Sequence, residues 1–332
     1  MTVLQLIWIT KDKHVDITDY VLSLTWKGAK GTAPRSLEVS IVNTGRGQHE
    51  WLPILEGHML LFRWDEEELF RGVIFSQDKN SSFGQSIKAY DQMIYMVKNT
   101  NSYVFTNLTA TQIIKRLCGD FQVPMGEIIE TGYKLPALVV DGETLYDIAY
   151  KAIYATFKQT GRRFYLGSKD GKVYLAEKLA QVSFIVIEDE VNLMDYSLNT
   201  SIEESATSVV MVAGEEKSAI TIKAKNDSLA GDIGTLQYYE KVTDKLNAAQ
   251  LQERVNKAMA DKGKVMSKLS INCLGDADVI TGTALHLIIR DMNMFKGYYV
   301  DSDSHVFKGN SHTMSIGLSE TDELPEVEIK TE

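Results

Sequence analysis

A pattern of three glycines that occurs twice constrains the fold of this chain more than any other sequence feature. Moving residues 54–93 forward by 225 positions places each glycine of the first copy on a glycine of the second. The matched residues are Gly57, Gly72 and Gly84 in the first copy and Gly282, Gly297 and Gly309 in the second. An aromatic-basic pair precedes the middle glycine in both copies, as Phe70-Arg71 and Phe295-Lys296. The sequence therefore predicts an internal duplication.

Each copy has the pattern of a small antiparallel meander. Between the glycines, β-branched and aromatic residues alternate with polar ones, as in strands with one buried face. Glycine provides the positive φ or the close backbone approach that a turn or a bulge needs, so all six glycines are predicted to be structural turn positions. In the first copy the acidic run Asp65 to Glu68 is predicted to be a hairpin tip, and Arg290 to Asn293 is its counterpart.

Composition and charge indicate what kind of protein this is and which ligands are disfavoured. With 332 residues, 44% of them hydrophobic, the chain is expected to form two or three globular domains. Its net charge of −10 disfavours binding to nucleic-acid phosphates. No apolar run could span a bilayer, and the first 14 residues lack the basic region of a signal peptide. We therefore expect synthesis in the bacterial cytoplasm without a signal peptide, and no membrane partner.

The chain is predicted to be mainly β with an α+β insert. Alternating strands indicate a first β-domain over residues 1–100 and a second over 181–320, which contains a helix at 247–263. Residues 101–180 are the insert, and 321–332 are predicted to be an acidic tail. Within the first domain, small residues and Pro34 predict a loop from Gly28 to Arg35.

Helix signals mark the insert. Thr109 to Gln112 has the pattern of a capping box, which predicts a helix over 109–118 that ends at Gly119. A second helix is predicted to start within residues 141–143 and to end at Gly161. Asp170-Gly171 is the expected two-residue turn of the hairpin that follows.

A tyrosine stripe on the second predicted helix has two interpretations. Tyr146, Tyr150 and Tyr154 recur every four residues. They could form an aromatic surface for sugars or for a protein partner. The interpretation that the usual partial burial of tyrosine favours is that the rings flank the core face of the helix, with their hydroxyls at the rim.

The strongest candidate for chemistry is Asp301-Ser302-Asp303-Ser304-His305, with His312 close by. Alternation places Asp301, Asp303 and His305 on one strand face. Neighbours on that face are about 7 Å apart, which is too far for all three to reach one zinc ion. We therefore interpret His305 and His312 as hydrogen-bonding residues of the hairpin and predict no metal site.

Other catalytic patterns are missing from the sequence. It contains neither a G-x-S-x-G elbow nor a phosphate-binding loop of the form G-x-x-x-x-G-K-[ST]. Cys118 and Cys273 have no metal or redox spacing and are predicted to be buried apolar residues. We therefore predict no catalytic, cofactor-binding or metal-binding residues.

The order of several short motifs resembles that of a known family. In the C-terminal part these are Gly275-Asp276, Gly282, Gly297-Tyr298-Tyr299-Val300, His305 and His312-Thr313-Met314. In the insert they are Thr109 to Ile114, Asp141-Gly142-Glu143-Thr144-Leu145 and the Arg162-to-Leu175 hairpin. In this order the chain resembles the XkdQ/YqbQ family of baseplate hub proteins of contractile phage tails and phage-derived bacteriocins. That family is related to the hub part of type VI secretion spike proteins.

The resemblance implies two homologous tail-tube-like β-barrel domains in each chain. Three chains would form a homotrimeric ring that matches the sixfold tail tube on one side and the threefold spike on the other. Such a ring would cover strand edges that single barrels leave open. The implied partners are the tail tube protein, the spike protein, the tape-measure protein and other baseplate proteins. DNA would pass through the lumen without specific binding, which the net negative charge suits.

The resemblance also implies where the protein is found, and one alternative function remains open. The protein would be assembled into a phage tail or a phage-tail-like particle that is released by lysis. The alternative is a particle-borne peptidoglycan hydrolase or glycan-binding module. That protein would use the tyrosine stripe or the region of His305 to engage sugar.

Overall fold

The computed structural model describes residues 4–44, 51–80, 84–178, 185–214, 219–242 and 246–322. Two compact units are present. Unit 1 comprises residues 1–195 and 271–332, and unit 2 comprises residues 196–270. Unit 2 is thus a segment of the predicted second domain, and the insert of residues 101–180 belongs to unit 1.

Strands make up most of the regular structure, which confirms the mainly β class. The strands are β1 (Leu4–Ile9), β2 (His14–Asp16), β3 (Val21–Ala29), β4 (Thr32–Val42), β5 (Met59–Trp64), β6 (Glu67–Lys79), β7 (Gly84–Tyr90), β8 (Thr100–Thr109), β9 (Met125–Ile128), β10 (Lys134–Thr144), β11 (Phe164–Lys169), β12 (Lys172–Glu177), β13 (Val186–Glu188), β14 (Leu193–Ser201), β15 (Ser208–Ala213), β16 (Ile220–Lys225), β17 (Gln237–Val242), β18 (Met266–Leu274), β19 (Ala284–Ile289), β20 (Met294–Lys308) and β21 (Ser311–Ser319). The helices are α1 (Met93–Lys98), α2 (Ala110–Asp120), α3 (Leu145–Thr160), α4 (Asp227–Ile233) and α5 (Ala248–Lys262). None of these helices combines the length and the hydropathy needed to cross a bilayer.

Both meanders belong to one sheet of 13 strands. Its main path runs β14-β18-β21-β20-β3-β4-β7-β6-β5-β1-β2, and β19 pairs with both β20 and β13. The first meander is β5-β6-β7 and the second is β19-β20-β21. Strand β20 pairs antiparallel with β3, from Ser302 opposite Ala29 to Phe307 opposite Leu24. Over the described residues the hydrogen-bonded path has two ends and does not close on itself.

The two meanders have equivalent first strands but different hairpin turns. Strands β5 and β19 coincide at both ends when shifted by 225 positions. In the first copy Asp65 and Glu66 have φ angles of 49° and 69°, as in a type I′ turn. In the second copy a short 3-10 turn precedes Asn293, which has a φ of 52°. The two loops have two and four residues, and a β-bulge at Leu69 of β6 takes up one residue of this difference. The pairing register therefore differs by one residue, because Gly72 lies opposite Leu60 whereas Gly297 lies opposite His286.

The core of the first meander includes a residue from the second. Phe307 of β20 is fully buried within the cluster formed by β1 and β3 to β7. Its ring centroid lies 4.8 Å from the ring centroids of both Phe62 and Trp64. Truncation of a buried phenylalanine costs about 3–5 kcal/mol. Phe307 of the second copy therefore stabilises the core of the first.

The insert has its own core, in which α2 and α3 pack with strands β8 to β12. The predicted capping box is formed at the start of α2, because Thr109 and Gln112 each accept a hydrogen bond from the other's backbone N–H. Met93 and Met96 of α1 also belong to this core, although they precede the predicted boundary at residue 101. The hairpin of β11 and β12 turns at Asp170-Gly171, as predicted, with φ angles of 52° and 70°.

Unit 2 is a three-stranded sheet in the order β16-β15-β17 with α5 packed on one face. The helix predicted at 247–263 is α5, with Asn247 as its N-cap and Gly263 at its end. Leu251 and Val255 of α5 are buried in one cluster with Val209 and Met211 of β15. Helix α4 was not predicted from the sequence.

Three local predictions were wrong. Gly28 to Arg35 is not a loop, because β3 runs to Ala29 and β4 begins at Thr32. The strands continue there because β20 pairs with this part of β3. Helix α2 continues through Gly119 to Asp120, and α3 begins only after Thr144, whose side chain accepts from the N–H of Asp147. Most of the predicted acidic tail, residues 323–332, lies outside the described residues.

Candidate functional site

The first glycine of each copy forms the same turn. Gly57 and Gly282 have φ angles of 85° and 92°. Their N–H groups donate to the carbonyls of Ile74 and Val300, at 2.9 and 2.8 Å. The N–H of each of these strand residues donates back to the carbonyl of the residue after the glycine, at 2.8 and 2.9 Å. The duplication therefore extends to the hydrogen bonds that start each meander.

The middle glycines have different surroundings. A Cβ on Gly72 would lie 2.2 Å from the carbonyl oxygen of Tyr90, so strand β7 can approach only because this residue is glycine. A Cβ on Gly297 would meet nothing closer than the carbonyl oxygen of Leu285, at 3.8 Å, and the position is exposed. Close packing thus requires a glycine at Gly72 and does not require one at Gly297.

The third pair also differs. Gly309 has a φ of 56° in the turn between β20 and β21, which is the left-handed conformation that glycine favours. A Cβ on Gly84 would lie 2.8 Å from the side-chain amide of Asn80, which is a flexible group on the surface. Backbone conformation therefore favours glycine at Gly309, and the constraint at Gly84 is weaker.

A buried ion pair lies where the two meanders join. The Arg35 guanidinium on β4 makes two hydrogen bonds to the Asp303 carboxylate on β20, and the side chain of Asp303 is fully buried. Gly28 of β3 lies between them, directly opposite Asp303. A Cβ on Gly28 would lie 2.4 Å from Nη1 of Arg35, so the arginine passes over β3 only because Gly28 has no side chain. We call Arg35, Gly28 and Asp303 the cross-strand staple.

The staple is held from both sides. The guanidinium carbon of Arg35 lies 3.9 Å from the ring centroid of Trp26, a cation–π distance. Both the N–H and the hydroxyl of Thr281 donate to Oδ1 of Asp303, each at 2.6 Å. The residues missed by the sequence analysis are thus Gly28, Arg35 and Thr281. A glycine, an arginine and an aspartate in distant strands carry no shared periodic signal that could have revealed them.

His305 and His312 lie next to the staple. Nε2 of His305 is 3.0 Å from the carbonyl oxygen of Val279, which can only accept, so this nitrogen donates. In the neutral ring Nδ1 then accepts, and it lies 3.0 Å from Nε2 of His312, which donates to it. His312 is packed between the ring of Phe307, at 4.1 Å between centroids, and Gly275, where a Cβ would lie 2.1 Å from the imidazole.

Burial decides the charge states of these groups. Burial, together with a smaller effect of the neighbouring His305, lowers the pKa of His312 to about 4. Burial also lowers the pKa of His305, against the effect of the Asp303 carboxylate. Burial raises the pKa of Asp91 to about 7, although its carboxylate accepts hydrogen bonds from the N–H groups of Arg35 and Met93. Both histidines are therefore neutral packing and hydrogen-bonding groups at neutral pH.

The tyrosine stripe is packed along α3. The ring centroids of Tyr146 and Tyr150 are 6.1 Å apart, those of Tyr150 and Tyr154 are 6.3 Å apart, and the rings are nearly parallel. Tyr154 is buried and the other two are half-buried. Burial raises the pKa of Tyr146 to about 12. These contacts favour the interpretation in which the rings flank the core.

Cys118, Cys273 and Asp301 also lie in surroundings that suit a structural role. Cys118 and Cys273 are buried, and burial raises their pKa values to about 11 and about 12, so both stay thiols at neutral pH. Within the described ranges, no group of three or more His, Cys, Asp or Glu side chains could hold a metal ion. Asp301 accepts a hydrogen bond from Oγ of Ser319 at 2.9 Å, away from the histidine pair.

Comparisons with known proteins agree with this architecture. The tail protein from Neisseria meningitidis MC58 superimposes with a TM-score of 0.70 at 15% identity and covers 96% of both chains. The 43 kDa tail protein of prophage MuSo2 from Shewanella oneidensis superimposes with a TM-score of 0.70 at 12% identity, over 95% of this chain and 98% of that one. The chain therefore has the fold of these phage tail proteins.

Sequence relatives cover nearly the whole chain. The YqbQ protein of Bacillus subtilis (strain 168) is 38% identical over 306 residues, which are 92% of this chain and 93% of that protein. The phage-like element PBSX protein XkdQ of the same organism is 39% identical over 306 residues, which are 92% and 94% of the two chains. The model of the YQBQ-like family matches residues 24–319. The chain therefore belongs to the YQBQ-like family.

Proposed function

We propose that this protein is the structural hub of a contractile tail or a phage-tail-like particle. Three copies form a ring with threefold symmetry and six similar β-units. The ring joins the hexameric tail tube to the threefold spike, and it contacts the tape-measure protein and other baseplate proteins. In this proposal residues 1–100 and 181–320 supply the two tube-like β-domains, and residues 101–180 are an insert between them.

The observation that carries the proposal is the repeated turn at Gly57 and Gly282. One chain starts two meanders with the same backbone hydrogen bonds, at Ile74 and at Val300. A chain with two equivalent β-units can occupy two neighbouring positions of a sixfold ring, so three chains fill six positions. The similarity of the fold to phage tail proteins supports the same function.

In this proposal the cross-strand staple fixes the angle between the two β-units. A symmetry adapter must hold its two β-units at a fixed angle, because each must match one subunit of the tube. The pairing of β20 with β3 joins the two β-units by backbone hydrogen bonds. The ion pair between Arg35 and Asp303 crosses the same strands. Buried, hydrogen-bonded ion pairs are best known for fixing one arrangement of elements rather than for adding stability.

The alternative of a peptidoglycan hydrolase or glycan-binding module has less support. His305 is fully buried with both ring nitrogens hydrogen-bonded, and the tyrosine stripe packs along α3. Both features on which that alternative depended thus have structural roles. We propose a non-enzymatic function, in which DNA passes the lumen by like-charge repulsion without specific binding.

Imaging of the purified protein tests the proposal. Class averages of negatively stained particles, prepared alone and with the tube and spike proteins of the same particle, should show a ring with six similar densities and threefold symmetry. Light scattering should give three times the chain mass of 37.2 kDa. Rings with another symmetry, or a chain that stays monomeric with both partners, would contradict the function. The peptidoglycan alternative predicts turnover of purified cell wall that His305→Ala abolishes.

A further inference from the structure

The sheet of unit 2 has one face that α5 does not cover. Val209 and Met211 of β15 point towards α5 together with Ile222 of β16 and Tyr238 of β17. Alternation along the strands places the intervening residues on the opposite face. The register gives three rows on that open face, which are Lys225, Ser208 and Gln237; Lys223, Val210 and Tyr239; and Thr221, Val212 and Lys241.

The open face is basic. Lys223, Lys225 and Lys241 are all exposed, and Tyr239, next to Lys241 on the same face of β17, is 57% exposed. No carboxylate among the described residues forms an ion pair with any of these lysines. The one acidic residue of β17, Glu240, lies on the other face, where it accepts from Arg254 of α5. We call Lys223, Lys225, Tyr239 and Lys241 the basic face.

The rest of the chain has the opposite charge. Unit 2 contains ten Lys or Arg and ten Asp or Glu, so the whole net charge of −10 lies in unit 1. The longest acidic run of the sequence is the hairpin tip from Asp65 to Glu68. Glu68 pairs with Arg71, whereas Glu66 and Glu67 are exposed and have no ion-pair partner in the described part of the chain.

The basic face and the acidic hairpin tip also match in size. Lys223 and Lys225, two residues apart on one strand, are separated by about 7 Å, and Lys241, on the far side of β15 and offset along it, lies about 12 Å from Lys223 and about 17 Å from Lys225. A two-residue hairpin tip is a narrow ribbon whose strands are about 5 Å apart. Its carboxylates therefore fit within the triangle of lysines. At physiological ionic strength charges interact over about 8 Å, so this local match outweighs the net repulsion between two negative chains.

We propose that the basic face of unit 2 docks the acidic hairpin tip, Asp65 to Glu68, of a second copy of this chain. The contact is heterologous, because two different surfaces meet, and a heterologous contact whose rotation is 120° closes a ring of three copies. The inference rests on the proposed homotrimer and assigns one of its contacts to named residues. Exposed ion pairs of this kind determine partner choice and orientation more than affinity.

Cross-linking of labelled copies tests the contact directly. Equal amounts of ¹⁴N- and ¹⁵N-labelled full-length protein are mixed, and a carbodiimide then joins lysines to carboxylates without a spacer. We expect mixed-isotope peptide pairs that connect Lys223, Lys225 or Lys241 with Glu66 or Glu67. Mixed pairs that connect only other residues, or pairs found only within one isotope, would overturn the proposal.

Charge reversal tests the energetics. Lys223→Glu with Lys225→Glu, and separately Glu66→Lys with Glu67→Lys, should each raise the concentration at half assembly by about tenfold or more. Combining all four substitutions in one chain should restore most of the assembly. The matched control is Lys264→Glu with Lys268→Glu, which changes the charge of unit 2 by the same amount at two exposed positions. Unchanged circular dichroism and melting temperature establish that each variant is folded.

The outcomes separate this inference from the proposed function. If the wild-type chain forms a trimer and neither of the two separate charge-reversed pairs weakens it, the docking contact is overturned and the hub function stands. A wild-type chain that never assembles, even with the tube and spike proteins, contradicts the hub function and the contact together. A basic-face variant that assembles normally but no longer retains single-stranded DNA on a filter would assign this face to an anionic polymer and overturn the proposal.

Discussion

Arg35 and Asp303 are 268 positions apart in the sequence, and their side chains meet over Gly28 in the middle of the sheet. The pair connects a strand next to the first meander with the central strand of the second. Asp303 is fully buried, and the side chain of Arg35 is 15% exposed. The ion pair is thus shielded from solvent, and the loss of either partner leaves a buried charge without its counter-ion.

Arg35→Ala should therefore lower the free energy of unfolding by about 3–5 kcal/mol. Asp303→Ala should have a similar effect, and the double variant should lose less than the sum of the two, because it leaves no unpaired charge. Urea denaturation followed by tryptophan fluorescence measures these differences. The control is Arg116→Ala, which breaks the surface pair with Asp120 and should change the midpoint little. Strictly additive losses at Arg35 and Asp303 would contradict the pairing.

Gly28→Ala should act through Arg35. The added Cβ would lie 2.4 Å from Nη1 of Arg35 and displace the guanidinium from Asp303. We therefore expect the free energy of unfolding to fall by about 1–3 kcal/mol in the wild-type background. In the Arg35→Ala background that obstacle is gone, and the same substitution should cost much less. A double-mutant cycle by thermal denaturation measures the difference. Equal costs in both backgrounds would mean that Gly28 is needed for another reason.

Gly72→Val and Gly297→Val form a matched pair within the duplication. The first introduces a Cβ only 2.2 Å from a backbone oxygen and should destabilise the fold by about 3 kcal/mol or more. The second adds a β-branched side chain at an exposed strand position with open space, so the melting temperature should change little. Differential scanning calorimetry of both variants is the measurement. Equal damage at the two positions would contradict the difference in packing described above.

The stability should depend on pH through His312. Its pKa in the folded protein is lowered to about 4 from the ordinary value of 6.5, so the unfolded chain binds a proton in this range that the folded chain does not. Stability is therefore complete above about pH 6.5 and decreases as the pH falls towards 4. The lowered pKa of His305 acts in the same direction. Asp91 acts in the opposite sense, because its raised pKa of about 7 favours folding at lower pH.

His312→Gln isolates the contribution of this histidine. The variant should be less stable than wild type at pH 8, since a ring contact with Phe307 is lost. Its melting temperature should then fall less steeply than that of wild type between pH 6.5 and pH 4.5. Asp91 is present in both proteins and its effect cancels in the comparison. His14→Gln, at an exposed position, is the control. Parallel pH profiles for wild type and His312→Gln would refute the assignment.

Local signals in the sequence predicted several elements well. The capping pattern at Thr109, the N-cap and end of α5 at Asn247 and Gly263, and the Asp170-Gly171 turn all depend on residues within about one helical turn of each other. The duplication was also visible, because equivalent turns need glycine at equivalent places. Gly57 and Gly282 have the same conformation for that reason.

The arrangement of distant strands could not be predicted in the same way. Gly28 to Arg35 has the composition of a loop, and it becomes part of two strands because β3 pairs here with β20 on one side and with β4 on the other. In their own sequence segments, Arg35 and Asp303 look like ordinary charged surface residues. Their side chains meet only because β3 pairs between β4 and β20 and places Gly28 between them. The one-residue difference in register between the meanders follows from the hairpin turns together with the β-bulge in β6, and the 225-residue offset does not reveal it.

The position of Phe307 has a consequence for synthesis. Phe62 and Trp64 leave the ribosome roughly 240 residues before their packing partner is made. At ordinary translation rates this delay is on the order of ten to fifty seconds, during which Phe62 and Trp64 are without the ring of Phe307. A message truncated before codon 307 therefore yields a fragment in which Phe62 and Trp64 lack this packing partner, and such a fragment should aggregate more readily than the full-length chain.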